Sequence, residues 1–355
     1  MRTSIKSTVA VVVALGAVGA LVFRGSPPEP APAPAPSTGT VRITAATAWP
    51  AAESATFADL PLRPLLFLDT ATVVGVATSN DDRHLRLLLR GADGTPRELR
   101  RLDAAANPRF ENVISAGDDV VWTEFADYGP PQIWAASVTD PRPARRLAAD
   151  VGNAVFHGSE HDLVHHAGRV YWTAGAADGS TTTEVRSVAT TGGRVRVDRV
   201  PGEWSMAPWP WLDDGAGGGV AATLMRNTDT GREITVPTAG SEFAACSPSW
   251  CRVTVIEGDT LSRIDLMRPD GSERREMATG TIRTAVPDVA ILGRFEILAD
   301  PLPGAAALLA YDITTGTTVE VAATANDAQC RNGLLWWFSG DGGPTRWHVL
   351  DLRTV

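Results

Sequence analysis

Across residues 41–355, apolar and polar positions alternate in short runs broken by clusters of Gly, Asp and Thr. This is the period-two pattern of half-buried β-strands, and no amphipathic helical stretch of useful length interrupts it. One pattern keeps returning, a turn followed by an apolar strand that often carries Trp: GDDVVWTE at residues 117–124, HAGRVYWTA at 166–174, SWCRVTV at 249–255 and RNGLLWWFS at 331–339. Taken as the second strands of successive sheets, these segments define anchors at Gly75, Trp122, Trp172, Trp211, Val253, Ile297 and Trp337, spaced 47, 50, 39, 42, 44 and 40 residues apart. A second marker recurs in phase. GADGT from Gly91, TTGGR from Thr190, TDTGR from Thr228, RPDGS from Arg268 and ITTGT from Ile313 each read as a hairpin turn between a third and a fourth strand. In the second repeat Pro141 and Pro143 take that place, so a longer loop is expected there.

A four-stranded unit repeated at this period predicts an all-β β-propeller, with seven blades as the count that fits the anchors and six or eight as the alternatives. The physical reason for a ring is that each small sheet is apolar on both faces, and only stacking against its neighbours buries them. Trp122, Trp172, Trp211 and Trp336 or Trp337 are assigned to the spaces between blades rather than to a ligand platform, since a buried Trp removes on the order of 150–250 Å² from water. The last repeat ends one strand short, while residues 40–46 (TVRITAA) form a strand-like segment before the first repeat begins near Pro64. Residues 41–45 are therefore expected to be the outer strand of the last blade, closing the ring and removing an exposed sheet edge.

Ahead of the repeats, Arg2 and Lys6 precede an uncharged apolar run at residues 7–23, closed by Arg24. The run suits a single span with its amino end in the cytoplasm and the remainder exported. Residues 1–25 are read as a signal anchor and residues 26–39, with PPEPAPAPAP at 27–36, as a semi-rigid polyproline linker. Residues 40–355 form the propeller domain. The expected location is the cell membrane with the propeller outside, a cleaved and secreted form being the other possibility.

The net charge of −9 argues against a phosphate backbone as partner, so no nucleic acid is expected. Cys246, Cys251 and Cys330 are the only cysteines. Three pairings are formally possible, and the four-residue hairpin of CSPSWC in an oxidising compartment favours Cys246 with Cys251, leaving Cys330 as a free thiol. The densest polar cluster is HGSEHDLVHH at residues 157–166. His157, His161, His165 and His166 are candidate ligand or metal residues there, although strand-like spacing works against their convergence and a solvated loop is the plainer expectation. The carboxylates Asp118, Asp119, Glu124, Asp213 and Asp214 read as solvated turn residues, and the glycine-rich GAGGG at 215–219 as a hairpin loop. No nucleophile elbow, zinc-protease motif, P-loop or dinucleotide fingerprint is present, so no catalytic residue and no cofactor is assigned.

With CSPSWCRV at residues 246–253 and RIDLMRPDGS at 263–272, the chain resembles the extracytoplasmic TolB-type or WD40-like β-propellers, in particular a membrane-anchored bacterial group. The resemblance covers residues 41–355. It implies a protein-interaction or cell-envelope role and supplies no catalytic residues. YDITTG at 311–316 is also similar to the D-x-x-T-G turn of quinoprotein propellers, but the Trp that closes that repeat is replaced by Val321. The expectation is thus a non-enzymatic scaffold. The alternatives are a quinoprotein-like oxidoreductase or hydrolase working in the central funnel, and a sensor of a small ligand or metal.

Overall fold

A computed structural model describes residues 42–355 apart from residues 128, 216–223, 259 and 341–344. The regular structure of the described chain is almost entirely antiparallel strand, and its sheets follow one another along the sequence. Sheet I comprises Arg63–Phe67, Val73–Thr78, His84–Arg90 and Pro96–Asp103. Sheet II comprises Arg109–Ala116, Asp119–Phe125, Gln132–Ser137 and Arg145–Ala148. In sheet III the first strand is split into Asn153–Ala154 and Val164–His166, both paired with Arg169–Gly175, and Thr182–Ala189 and Arg196–Pro201 follow. Sheet IV (Ser205–Met206, Trp211–Asp213, Leu224–Asn227, Glu233–Thr235) and sheet V (Glu242–Cys246, Cys251–Glu257, Thr260–Met267, Arg275–Thr279) repeat the order.

The final sheet is eight-stranded because Thr317–Arg331 serves two groups. Up to Ala325 it pairs with Ala305–Asp312, completing sheet VI with Arg283–Thr284 and Phe295–Leu302. From Asn326 its partner is Leu334–Ser339, which begins sheet VII and leads to Arg346–Asp351. This succession of meandering four-stranded sheets is a β-propeller.

All seven anchors fall on second strands, and each of the five marked Gly turns joins a third strand to a fourth. The turn chemistry is as the sequence demands. Gly271 and Gly316 have φ of 85° and 70°, a region that costs an L side chain strain. Gly75 stands where other repeats carry Trp for a different reason, since a Cβ there would lie 2.3 Å from the Arg63 carbonyl oxygen on the adjacent strand. The core lies between sheets. Trp122 and Trp172 are fully buried and Trp336 is 1% exposed, each in a cluster that joins two neighbouring sheets.

The closing strand differs from the expectation. Ser54–Ala58, not residues 41–45, pairs with Arg346–Asp351, from Ser54 opposite Leu350 to Ala58 opposite Arg346. Residue 41 lies outside the described residues. Ile43–Thr44 makes a short parallel contact with Val319 and Glu320, and Ala45–Ala48 turns into one helical turn ended by Pro50. The Ala-rich AATA sequence favours that turn over a strand. The closing strand's Phe57 packs 5.8 Å from Phe67 of sheet I, which in turn lies 5.7 Å from Trp336 of sheet VII, so this strand seals the seam between the first and last sheets.

Candidate functional site: a loop across the ring

The split first strand of sheet III is the feature around which the centre is built. Between Ala154 and Val164 the chain leaves the sheet and reaches to sheets VI and VII on the other side of the ring. Asp162 fixes the loop's own shape by accepting the His157 amide at both carboxylate oxygens (3.0 and 2.9 Å) and the Gly158 amide at 2.7 Å. Asp288, ahead of the second strand of sheet VI, accepts the Ser159 hydroxyl (2.5 Å) and the Glu160 amide (3.2 and 3.1 Å). From the start of sheet VII, Arg331 donates to the Ser159 carbonyl at 2.9 Å, and the Asn332 amide donates to Glu160 Oε2 at 2.6 Å. The loop is therefore fastened through residues 158–160 to two other sheets, so that it joins three. Asp162 and Leu163 are buried, whereas His157, Gly158 and His166 are exposed, so the segment is solvated only in part.

Electrostatics mark the same place. Burial, with the neighbouring Asp288 charge adding to it, pushes the Glu160 carboxyl above its usual range, opposed chiefly by His161. Burial likewise raises Asp162 against the backbone amides that favour its charged form. The Cys330 thiol is buried nearby, and desolvation reinforced by Glu160 and Asp288 raises it well above the ordinary thiol range, which makes it an inert core residue. Behind Asp288, the fully buried Glu296 takes Arg252 Nη1 at 2.9 Å and the Ala290 amide at 2.7 Å. Arg252 also donates to the carbonyls of Pro287 and Asp288, holding the segment that presents Asp288.

The loop separates two cavities. One, of about 300 Å³, opens beside the first strands of sheets I, II and III and the start of sheet VII. The other, of about 290 Å³, is bounded by sheets IV and V and by Pro287–Val289. His161 borders both.

The four candidate histidines do not gather in one place: His161 and His165 line the first cavity, and His157 and His161 the second. His157 Nε2 lies 3.2 Å from the Ser205 hydroxyl, and His161 Nε2 is 3.9 Å from Glu160 Oε1. His165 and His166 are consecutive strand residues on opposite faces, His166 with its ring 6.0 Å from that of Trp209. Among the described residues no three or more His, Cys, Asp or Glu side chains form a group suited to a metal ion. Cys246 and Cys251 are directly opposed and disulfide-bonded, with Cα atoms 4.1 Å apart, and Cys330 is free. Glu124, expected to be solvated, is buried and takes Arg100 at 2.7 Å and the Trp122 indole at 3.1 Å. Asp119 pairs with Arg145. Asp312 of the quinoprotein-like turn receives the Thr314 amide and Arg294, a structural cap. Most of the 215–219 glycine stretch lies outside the described residues.

Asp288, Arg331 and Asn332 had no signal in the sequence. They stand 128, 172 and 172 residues from their loop partners, and nothing local to them distinguishes them from ordinary turn residues.

No protein-family model and no curated protein matches the chain. Solved structures do. An oligogalacturonate lyase in complex with manganese is 10% identical over 84% of this chain and 90% of its own, with a TM-score of 0.56. The oligogalacturonate lyase from Vibrio parahaemolyticus is 9% identical over 84% of this chain and 97% of its own, at 0.54. TolB from Acinetobacter baumannii is more distant, 11% identical over 70% of this chain and 63% of its own, at 0.41. The first two likenesses place the chain among β-propeller proteins. At such identities they speak for the fold alone, and the narrower membrane-anchored group is not reached by them.

Proposed function

We propose that this protein is a membrane-anchored, extracytoplasmic propeller that acts as a non-enzymatic interaction module for another protein of the cell envelope. The observation that carries this reading is the loop across the ring. The carboxylates that gather at the centre, Glu160, Asp162, Asp288 and Glu296, are engaged with backbone amides, a hydroxyl or an arginine, and so work as fasteners. A rigid disc with a braced centre suits the presentation of edge and face loops. The basic-then-apolar amino terminus, the polyproline spacer and the hairpin disulfide support export and anchoring.

Two experiments test it. Alkaline carbonate extraction of membranes should leave the full-length chain in the pellet, and release of a shortened protein overturns the anchor. For the interaction, a photo-crosslinking residue is placed at Val155 or Phe243, exposed side chains where the first strands of sheets III and V begin, or at Val197 on an outer strand. In intact cells the first two should give one discrete protein adduct that Val197 does not. Absence of any adduct, with turnover of a small substrate by the purified chain, would replace the module by an enzyme.

A further inference from the structure

The cavity of about 300 Å³ beside the crossing loop is lined by two chemically distinct sets of side chains. One is apolar: Leu66 from sheet I, Val113 and Ile114 from sheet II, Leu163 and Val164 from sheet III, and Leu292 of sheet VI, which packs beside Gly333. The other carries Glu160, His161, His165, Arg331 and Asn332. Arg331 makes no ion pair within 4.0 Å among the described residues. Its hydrogen bonds go to the carbonyls of Ser159 and Gly158, at 2.9 and 3.4 Å, which leaves guanidinium N–H groups able to donate to a ligand, while its charge is also felt by the Glu160 and Asp162 carboxyls. Glu160, the one carboxylate on this wall, already receives the Asn332 amide, and its burial favours the neutral form. Two imidazoles and a guanidinium therefore share with apolar side chains the lining of a space suited to a compact ligand, since small-molecule sites begin at about this volume.

We infer that this cleft binds a small organic monocarboxylate with a branched or aromatic apolar body. The carboxylate lies on the Arg331 guanidinium, the geometry a planar fork serves best, and the apolar body lies against Leu66, Ile114 and Leu292. The inference stands apart from the interaction module: either can fail without the other.

The test uses the purified full chain and ligand-observed NMR with 4-methylpentanoate and benzoate, against 3-methylbutylamine and benzylamine as matched cations and the corresponding amides as neutral probes. The carboxylates should bind, with amines and amides at least tenfold weaker. Arg331→Gln should weaken carboxylate binding at least tenfold. Because Arg331 also steadies the loop, a second variant blocks the space instead. Leu292 is 50% exposed and contacts neither Arg331 nor the fasteners by any hydrogen bond, so Leu292→Trp should abolish binding while leaving the urea midpoint unchanged. Equal binding of amines, undiminished binding by Leu292→Trp, or no carboxylate binding at millimolar concentration overturns the inference.

Discussion

Phe57 decides which amino-terminal segment closes the ring. Its ring lies 5.8 Å from Phe67 and has the Arg90 guanidinium 5.6 Å above it, in a cluster that joins sheet I to sheet VII through Phe67, Trp336 and Val349. Truncating a wholly buried Phe to Ala costs about 3–5 kcal/mol. Phe57 is half-buried, so roughly half of that, about 2 kcal/mol, is expected for Phe57→Ala, including about 0.5 kcal/mol from the lost cation–π contact. Ile43 belongs to the segment whose sequence pattern suggested closure, yet it is 53% exposed and pairs only at the edge of sheet VI. Ile43→Ala should therefore change stability by no more than about 0.5 kcal/mol. Equilibrium urea unfolding followed by tryptophan fluorescence, with the slope held equal between variants, measures both. A cost for Ile43→Ala equal to or above that for Phe57→Ala would refute the assignment of the seam.

Further outcomes follow from the same geometry. Gly75→Ala should destabilise by more than about 1 kcal/mol, because the new methyl meets the Arg63 carbonyl in a paired strand; a neutral urea midpoint would contradict it. Replacing Cys246 and Cys251 together by Ala opens a loop of sequence separation 5, for which chain entropy gives about 2 kcal/mol, and reducing the wild type should lower its midpoint by a similar amount. Arg252→Met leaves Glu296 charged and unpaired in the interior and should cost about 3–5 kcal/mol, much of it recovered by adding Glu296→Gln. Glu160 has a folded pKa raised above 4.5, so its contribution is whole below that value and is lost as pH rises through the raised one. Glu160→Gln should flatten that decline in urea midpoints taken between about pH 4 and 7, while the acid-side loss from Asp351 and Glu242, whose arginine partners lower their pKa values, remains.

The sheets were legible in the sequence because each second strand alternates β-branched or aromatic residues with polar ones behind a tight turn, and burial between blades needs that pattern locally. The seam was not. TVRITAA has the stronger strand pattern, but its alanines favour a helical turn, while SATFA contributes through one aromatic that finds Phe67 only in three dimensions. The histidine cluster was visible as a dense polar stretch, but only Val164–His166 of it is strand, and His157 and His161 lie in the loop that crosses the ring. Its bracing role depended on Asp288 and Arg331, whose relation to it exists only after the ring has closed.

The central claim is that the loop after Ala154 crosses the ring and ties sheet III to sheets VI and VII. Native-state hydrogen exchange at the Glu160 and Asn332 amides tests it most directly, since each donates to a carboxylate from a distant sheet. Both amides should exchange only through openings nearly as costly as those of the central strands, and Asp288→Ala should release Glu160 selectively. Exchange of both at the rate of freely solvated turn amides would contradict the account.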